Sequence, residues 1–457
     1  MPQRKLDVVL DSVRRLQRMG ATANLVNLLQ KQYPADLAQL FSELGEKDRQ
    51  AAFTLLAERN PKLAMEGLSE LGPEAGAALL ADRSAEEIVK LTQDLASDDA
   101  AAIIDYLPEE LSAAVLELMQ KRPAGGDVGE LLEYAEQTAG RIMNPKVFAL
   151  AEDMTAGEAI TALQASRDVE VVFYLYVIDA RRHLVGVVSL RRLLLVSPST
   201  PLKRIMTTDL ISVRVDTDQE EVARQVASYN ILAIPVVDEE NKLVGVITVD
   251  DVIDVIKDEA TEDIYRLAGV SADERVFTPT AESLRKRLPW LVVNLATAFI
   301  AAGVVSLFQN TISVWVALAV FMPIVPGMGG NAATQTLTVI VRGLALGELT
   351  WNNARKALVK EILVGIGNGV ATGLIAGLAA WLLMGQPALG LLLIAAMVIN
   401  LFVAGMAGTL IPLGLKALNI DPALASTVFI TTFTDVCGFA SFLGLATVVL
   451  RMYPHAG

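Results

Sequence analysis

The chain has 457 residues, 53% of them hydrophobic, and a formal net charge of −14 at neutral pH. That length holds roughly two to four domains, and the apolar share is too high for a protein soluble throughout. A single cysteine, Cys437, and two histidines far apart in sequence, His183 and His455, exclude an internal disulfide and argue against a zinc hydrolase or a His-based catalytic site.

The charge is unevenly divided. Residues 283–457 carry a net +5, which leaves −19 on residues 1–282. So acidic a surface repels nucleic acid and attracts divalent cations. For the average carboxylate there, a merely solvated acidic face is the better reading.

Residues 1–130 show almost no strand signal. Helix starts recur at Pro73-Glu74, Ser84 to Glu87, Ser97 to Asp99 and Pro108 to Glu110, where Ser or Asp caps free N–H groups and early acids suit the dipole. Spacing of roughly a dozen residues implies a stack of short helices, a small solenoid. The N-terminus lacks the continuous apolar core of a signal peptide, so the soluble part is expected in the cytosol. Turn residues in KRPAGGDVGE, Lys121 to Glu130, mark a boundary.

From about residue 136 to 258 short β-branched runs alternate with helical ones, and the segment repeats itself. RIMNPKVFAL (Arg141 to Leu150) is echoed by RIMTTDLISV (Arg204 to Val213), and LYVIDARRHLVGVVSLRRLL by IPVVDEENKLVGVITVDDVI. Two copies of strand, helix, strand, strand, helix resemble a paired CBS module. That resemblance implies adenosine nucleotide binding in the cleft between repeats, with Thr248 and Asp251 at the matching positions of the second copy. The first copy has Ser189 and Arg192, an Arg where the pattern has Asp.

After the second repeat comes DDVIDVIKDEATEDI, Asp250 to Ile264. Asp251, Asp254 and Asp258 fall near one helical face, and Glu259, Glu262 and Asp263 continue it. Like charges at these spacings destabilise a helix by roughly 0.2–0.5 kcal/mol per pair, a cost that bound cations remove. An exposed acidic linker helix is the alternative, which the number of converging acids disfavours.

Residues 283–457 read as five spanning helices: about Leu288–Phe308, Ile312–Leu344, Val359–Met384, Leu389–Leu415 and Ala423–Leu450, each above the roughly 20 residues needed to cross hydrocarbon. Arg285, Lys286, Arg287, Arg342, Arg355, Lys356, Lys360 and Lys416 all fall on one side. The positive-inside rule puts that side in the cytosol and the C-terminus outside.

Within the second span FMPIVPGMGGNAATQT, Phe321 to Thr336, sets two prolines and three glycines beside amides. A broken helix is tolerated in a bilayer where protein or water covers the freed backbone. Asn331, Thr334 or Gln335, Thr338 and Arg342 recur at helical spacing, so a water-lined polar face is one reading. A glycine-rich packing seam is the other. In the fifth span Asp435 lies near the middle, with Thr427, Thr431, Thr434 and Gly438 nearby and Asp421 at the cytosolic entrance. A charged Asp at a helix centre costs about 3 kcal/mol and usually lines a cavity or ion path. An all-oxygen site suits a hydrated hard cation such as Mg2+, while a protonated Asp bonded between helices is the structural alternative.

Over essentially its whole length the chain resembles the MgtE family of magnesium transporters, by its domain order, the run PIVPGMGGNAATQTLTVIVRGLALGE and the TDVCG run containing Asp435. The resemblance implies a multidomain membrane protein. A helical superhelical N domain (1–130) and tandem α/β CBS domains (136–257) are followed by an acidic plug helix (258–282) and a five-helix pore domain (283–457). It also implies a homodimer in the bacterial inner membrane that conducts Mg2+, is not an enzyme and has no nucleic-acid partner. Asp435 matches the position that binds hydrated Mg2+. Asp98, Asp218, Glu220, Asp251, Asp254, Glu259, Glu262 and Asp263 match ligands of the Mg2+ that holds the cytosolic part compact and the pore closed. Ala102 and Asn230 stand where relatives can carry acids. A Na+- or H+-coupled divalent cation exchanger is the alternative, since broken helices suit secondary transporters too. An intramembrane aspartyl protease wants two carboxylates at one site, and Asp435 has no such partner in its chain.

Overall fold

The computed structural model describes residues 3–121, 126–166, 174–272, 274–276, 278–424 and 427–452. They gather into two compact units, Met1–Ile256 and Lys257–Gly457. Part of the turn expected at Lys121 to Glu130 lies outside the described residues.

The first unit opens with ten described helices. They run from α1 (Gln3–Arg18) to α10 (Gly126–Glu133) and include α5 (Pro61–Ser69), α6 (Pro73–Leu80), α7 (Ala85–Leu91), α8 (Ser97–Asp105) and α9 (Glu109–Gln120). Two of the start signals act as their chemistry requires: Pro73 sits in the first turn of α6, and the Ser84 hydroxyl accepts from the Glu87 amide, while Pro108 stands at the cap position of α9. Ser97 departs from expectation. It is the first residue of α8, with Ala96 at the cap, and is buried rather than capping.

After α11 (Ala139–Ile142) two repeats follow. The first comprises β1 (Ala149–Ala151), α12 (Ala156–Ala165), β2 (Tyr174–Ile178), β3 (Leu184–Ser189) and α13 (Leu190–Leu195). The second comprises α14 (Leu202–Ile205), β4 (Val213–Arg214), α15 (Gln219–Tyr229), β5 (Ala233–Val237), β6 (Leu243–Thr248) and the long α16 (Val249–Leu267). Each sheet has three strands, parallel then antiparallel. The repeated RIM segments exchange partners: Met143, ahead of the first repeat, packs on Gly245 of the second, and Met206 packs on Gly186 of the first. An added Cβ would stand 2.4 Å and 2.5 Å from the two sulfur atoms, so glycine is the residue these crossings admit. Backbone bonds follow the same exchange, Asn144 N–H to Val246 O at 2.8 Å and Val187 N–H to Thr207 O at 3.0 Å. The core of the N-terminal helices continues into the second repeat through Val222, Ile234, Ile247 and Val252.

The second unit holds, among the described residues, five segments long and apolar enough to cross a membrane. They are formed by α17 (Thr280–Ser306), then α19 (Ala317–Phe321) with α20 (Ile324–Ala345) behind the short α18 (Gln309–Val314), then α21 (Ala354–Met384), α22 (Pro387–Ala417) and α23 (Thr427–Met452). Helix hydrogen bonding carries α17 and α21 into charged turns ahead of the apolar runs. Residues 425 and 426, at the start of the expected fifth span, lie outside the described residues.

The break in the second span is narrower than its composition suggests. The chain interrupts at Met322 and Pro323, but α20 then runs unbroken through Pro326, Gly327, Gly329 and Gly330. Pro326 falls in the first turn, where the missing N–H has no helical partner to lose. Two of the glycines serve packing: Gly329 lies against Asn400 and Gly330 against Thr431, while Gly327 is exposed. A second seam joins α21 to α22. Gly365, Gly369, Gly373 and Gly377 recur every four residues, and a Cβ on Gly365 or Gly377 would come within 2.4 Å or 2.6 Å of a backbone carbonyl oxygen of α22. Small residues at this period let membrane helices approach closely.

Candidate functional site

Along α20 the two helix faces differ in exposure. Ala333, Thr336, Leu337, Ile340 and Val341 are buried, whereas Gly327, Asn331, Gln335, Thr338 and Arg342 are exposed, at spacings of three and four. Lipid offers no hydrogen bonds to amide or guanidinium groups, so a polar stripe on a spanning helix belongs against water or protein. The glycines that pack on neighbouring helices and the exposed polar residues of this stretch lie on different faces of one helix.

Asp435 lies on α23, packed beside α20, and is half-buried. Among the described residues no hydrogen bond or ion pair holds its carboxylate. Thr431 is also half-buried, and its hydroxyl donates to the Val428 carbonyl at 3.2 Å. Thr434 differs from expectation: it is fully buried and its hydroxyl donates to the Thr431 carbonyl, so it faces the protein interior. The side chain of Thr427 lies outside the described residues.

At the end of α16, Glu262 and Asp421 both pair with the Arg266 guanidinium, and the Ala423 amide donates to Asp421 Oδ1 at 2.8 Å. Burial, together with the charges of Asp421 and Glu262, pushes the Asp263 carboxyl up, and Arg266 opposes that rise. The acids expected here do converge, but around a cation the protein itself supplies. Glu259 adds to the field on Arg266. Asp254 is exposed.

In the first unit Asp98, at the start of α8, and Asp251, in the first turn of α16, face the same small region. Asp98 Oδ1 is shut away from solvent with no hydrogen-bond partner among the described residues. Burial first, then the charges of Asp251 and Asp99, push its carboxyl up to about 7. Asp251 rises to about 6, by burial and then the charge of Asp250, against the lowering effect of bonds from Thr248. An orphaned acceptor with a second carboxylate nearby fits a hard cation, whose charge removes both penalties. Asp218 and Glu220 are exposed, and Asp218 spends an oxygen on the Glu220 amide at 2.8 Å as the cap of α15. Among the described residues no three His, Cys, Asp or Glu side chains form a ready-made metal site.

The two CBS positions also differ. Thr248 Oγ1 donates to Asp251 Oδ2 at 2.6 Å, with the Thr248 amide at 3.2 Å, so the pair is pre-arranged. In the first repeat Ser189 caps α13 by accepting from the Arg192 amide at 3.3 Å, and no acid takes the Asp role.

Two buried polar groups were not singled out from the sequence. Glu361 on α21 accepts from Thr336 Oγ1 at 3.0 Å and from Lys360 Nζ at 2.7 Å, tying α20 to α21. Asn400 on α22 is fully buried. The available signal was a lone amide within a long apolar run.

Fold and site together define an integral membrane protein whose soluble part carries a helical domain and a CBS pair. The family model described as a divalent cation transporter matches residues 322–445, the MgtE intracellular N domain matches 32–137, and CBS domains match 139–199 and 202–258. The magnesium transporter MgtE of Thermus thermophilus is 38% identical over 330 residues, covering 71% of this chain and 73% of its own. That of Enterococcus faecalis is 37% identical, covering 72% of each. The crystal structure of the cytosolic domain of the Mg2+ channel MgtE in complex with ATP superposes with a TM-score of 0.50 at 37% identity, over 54% of this chain and 99% of that one. The soluble part of a magnesium transporter gives the same score at 30% identity, over 56% of this chain and 99% of that one. The chain belongs to the MgtE family.

Proposed function

We propose that this protein is a Mg2+ channel of the bacterial cell membrane whose path runs between the stripe of α20 and Asp435. The observation that carries the reading is that stripe: Asn331, Gln335, Thr338 and Arg342 are uncovered on a helix within a segment long and apolar enough to cross a membrane. A second copy of the chain, facing the first across it, encloses water and brings two Asp435 carboxylates to one path. One or two carboxylates and retained waters suit Mg2+, which gives up its hydration reluctantly. The magnesium transporters similar to this chain support the choice of ion.

Regulation follows from the soluble acids. Cytosolic Mg2+ held by Asp98 and Asp251, and by Asp254, Glu259 and Asp263 along α16, offsets their repulsion and favours the compact, closed form, while Glu262 is already paired with Arg266. Mg2+ closes the gate to the extent that it binds that form more tightly. Thr248 and Asp251 are the residues that would hold an adenosine nucleotide. The interrupted second span also suits a Na+- or H+-coupled exchanger, which a strict counter-ion dependence of flux would reveal.

The stripe is tested by thiol labelling in membranes. With Cys437 replaced by Ala, single cysteines at Asn331, Gln335 and Thr338 should react with a membrane-impermeant thiol reagent, and a cysteine at the exposed apolar Val339 should not. Equal protection of all four would remove the water-lined path.

A further inference from the structure

Asn400, midway along α22, is fully buried, and its Nδ2 donates to the Val325 carbonyl of α20 at 2.8 Å. Glycines on two other helices make room for it. A Cβ on Gly329 of α20 would stand 2.1 Å from Nδ2, and one on Gly438 of α23 would stand 2.9 Å from it and 3.2 Å from Pro326 Cα. One amide therefore marks the place where α20, α22 and α23 meet. Gly438 is one turn beyond Asp435, and Gly329 is two residues before Asn331.

The amide's direction is set by its partner, because reversing it would press Oδ1 against the Val325 oxygen, acceptor on acceptor. That leaves Oδ1 buried with no donor among the described residues. An unpaired buried carbonyl costs free energy, and a leucine of similar size would fill the space without that cost. Packing alone does not account for an amide here.

We propose that Asn400 is a positioning residue of the conduction path. Its amide ties the first turn of α20 to α22 and, through Gly438, fixes how far Asp435 stands from the polar stripe. Asn400 does not touch the ion; it sets the spacing of the groups that do. The inference rests on the reading of Asp435 as a cation ligand, and its test is separable from that reading.

The test uses the full chain in proteoliposomes, with Mg2+ uptake measured against concentration and with Ca2+ as competitor. Asn400→Leu should raise the apparent KM for Mg2+ about tenfold and lower the preference for Mg2+ over Ca2+ by a similar factor, with maximal rate within about twofold of the parent. Its melting temperature in detergent should not fall, since the orphaned oxygen is gone. Gly438→Ala pushes Asn400 aside while leaving its amide, so it should give the same shift, and the double variant should shift no further than either alone. If Asn400→Leu fails to assemble, Gly438→Ala decides by itself. Unchanged KM and selectivity, or a loss of maximal rate and melting temperature together at constant KM, would overturn the proposal. Persistent Mg2+ flux in Asp435→Ala would instead overturn the reading beneath it.

Discussion

The carboxyl group of Asp98 lies close enough to that of Asp251 for an ionised Asp251 to strengthen the hold of Asp98 on its proton. Neither acid is near the ordinary range, and burial is the larger cause at both.

A pH dependence follows. Unfolded, Asp98 titrates near 3.8, and folded it titrates at about 7. Between those values the folded form binds more protons, so this group's contribution to stability declines as pH rises through the window. Asp251, Asp99 and Asp250 are the acids that face it or its partner. Wild type should lose a few kcal/mol relative to Asp98→Asn between about pH 4 and 7, and added Mg2+ should recover that loss in wild type alone. Thermal unfolding of the soluble segment, measured for both proteins across this range, checks the difference.

Gly269, just beyond α16, has φ +68°, and a Cβ there would stand 1.7 Å from Trp290 Nε1. Trp290 packs edge-on against Phe429 at 6.2 Å, so one indole links the end of α16 to the start of α23. Gly269→Ala combines left-handed strain with a clash and should destabilise this junction by about 1–3 kcal/mol. A lowered melting temperature in detergent, with a shift in tryptophan emission, is the expected result. Unchanged spectra would show that the contact does not bind the two elements.

The α21–α22 seam predicts sharper intolerance. A Cβ on Gly369 meets Val398 Cα at 2.8 Å, and backbone cannot move aside as a flexible side chain does. Gly369→Val should cost about 2–4 kcal/mol by overpacking, read as poor recovery of folded protein from membranes. Gly367, with nothing within 4 Å of its Cβ position, should accept valine with little effect.

Much of this was legible in the sequence because repetition and periodicity report backbone geometry directly. The paired RIM and LVGV runs revealed the CBS repeat, and apolar length revealed the spans. The polar stripe was also readable from spacing alone. What composition could not convey was the partner of each group. Pro326 and the glycines read as a break, yet the first turn tolerates that proline and neighbouring helices use Gly329 and Gly330. Ser97 read as a cap, yet burial claimed it. Arg266 drew no notice among the acids of its helix until the fold set Asp421 beside it. Asn400 showed in the sequence only as a lone amide in an apolar run, and neither its partner nor the Thr336 partner of Glu361 could be read there, because those bonds run to residues 75 and 25 positions away.

The central claim, that Asp435 lines the path of a hydrated divalent cation, is tested most directly by Mg2+ flux into proteoliposomes containing Asp435→Ala beside the parent chain, at matched protein content. The account predicts that flux falls to the level of protein-free vesicles while the variant still inserts and assembles. Flux preserved at the parent rate would contradict it.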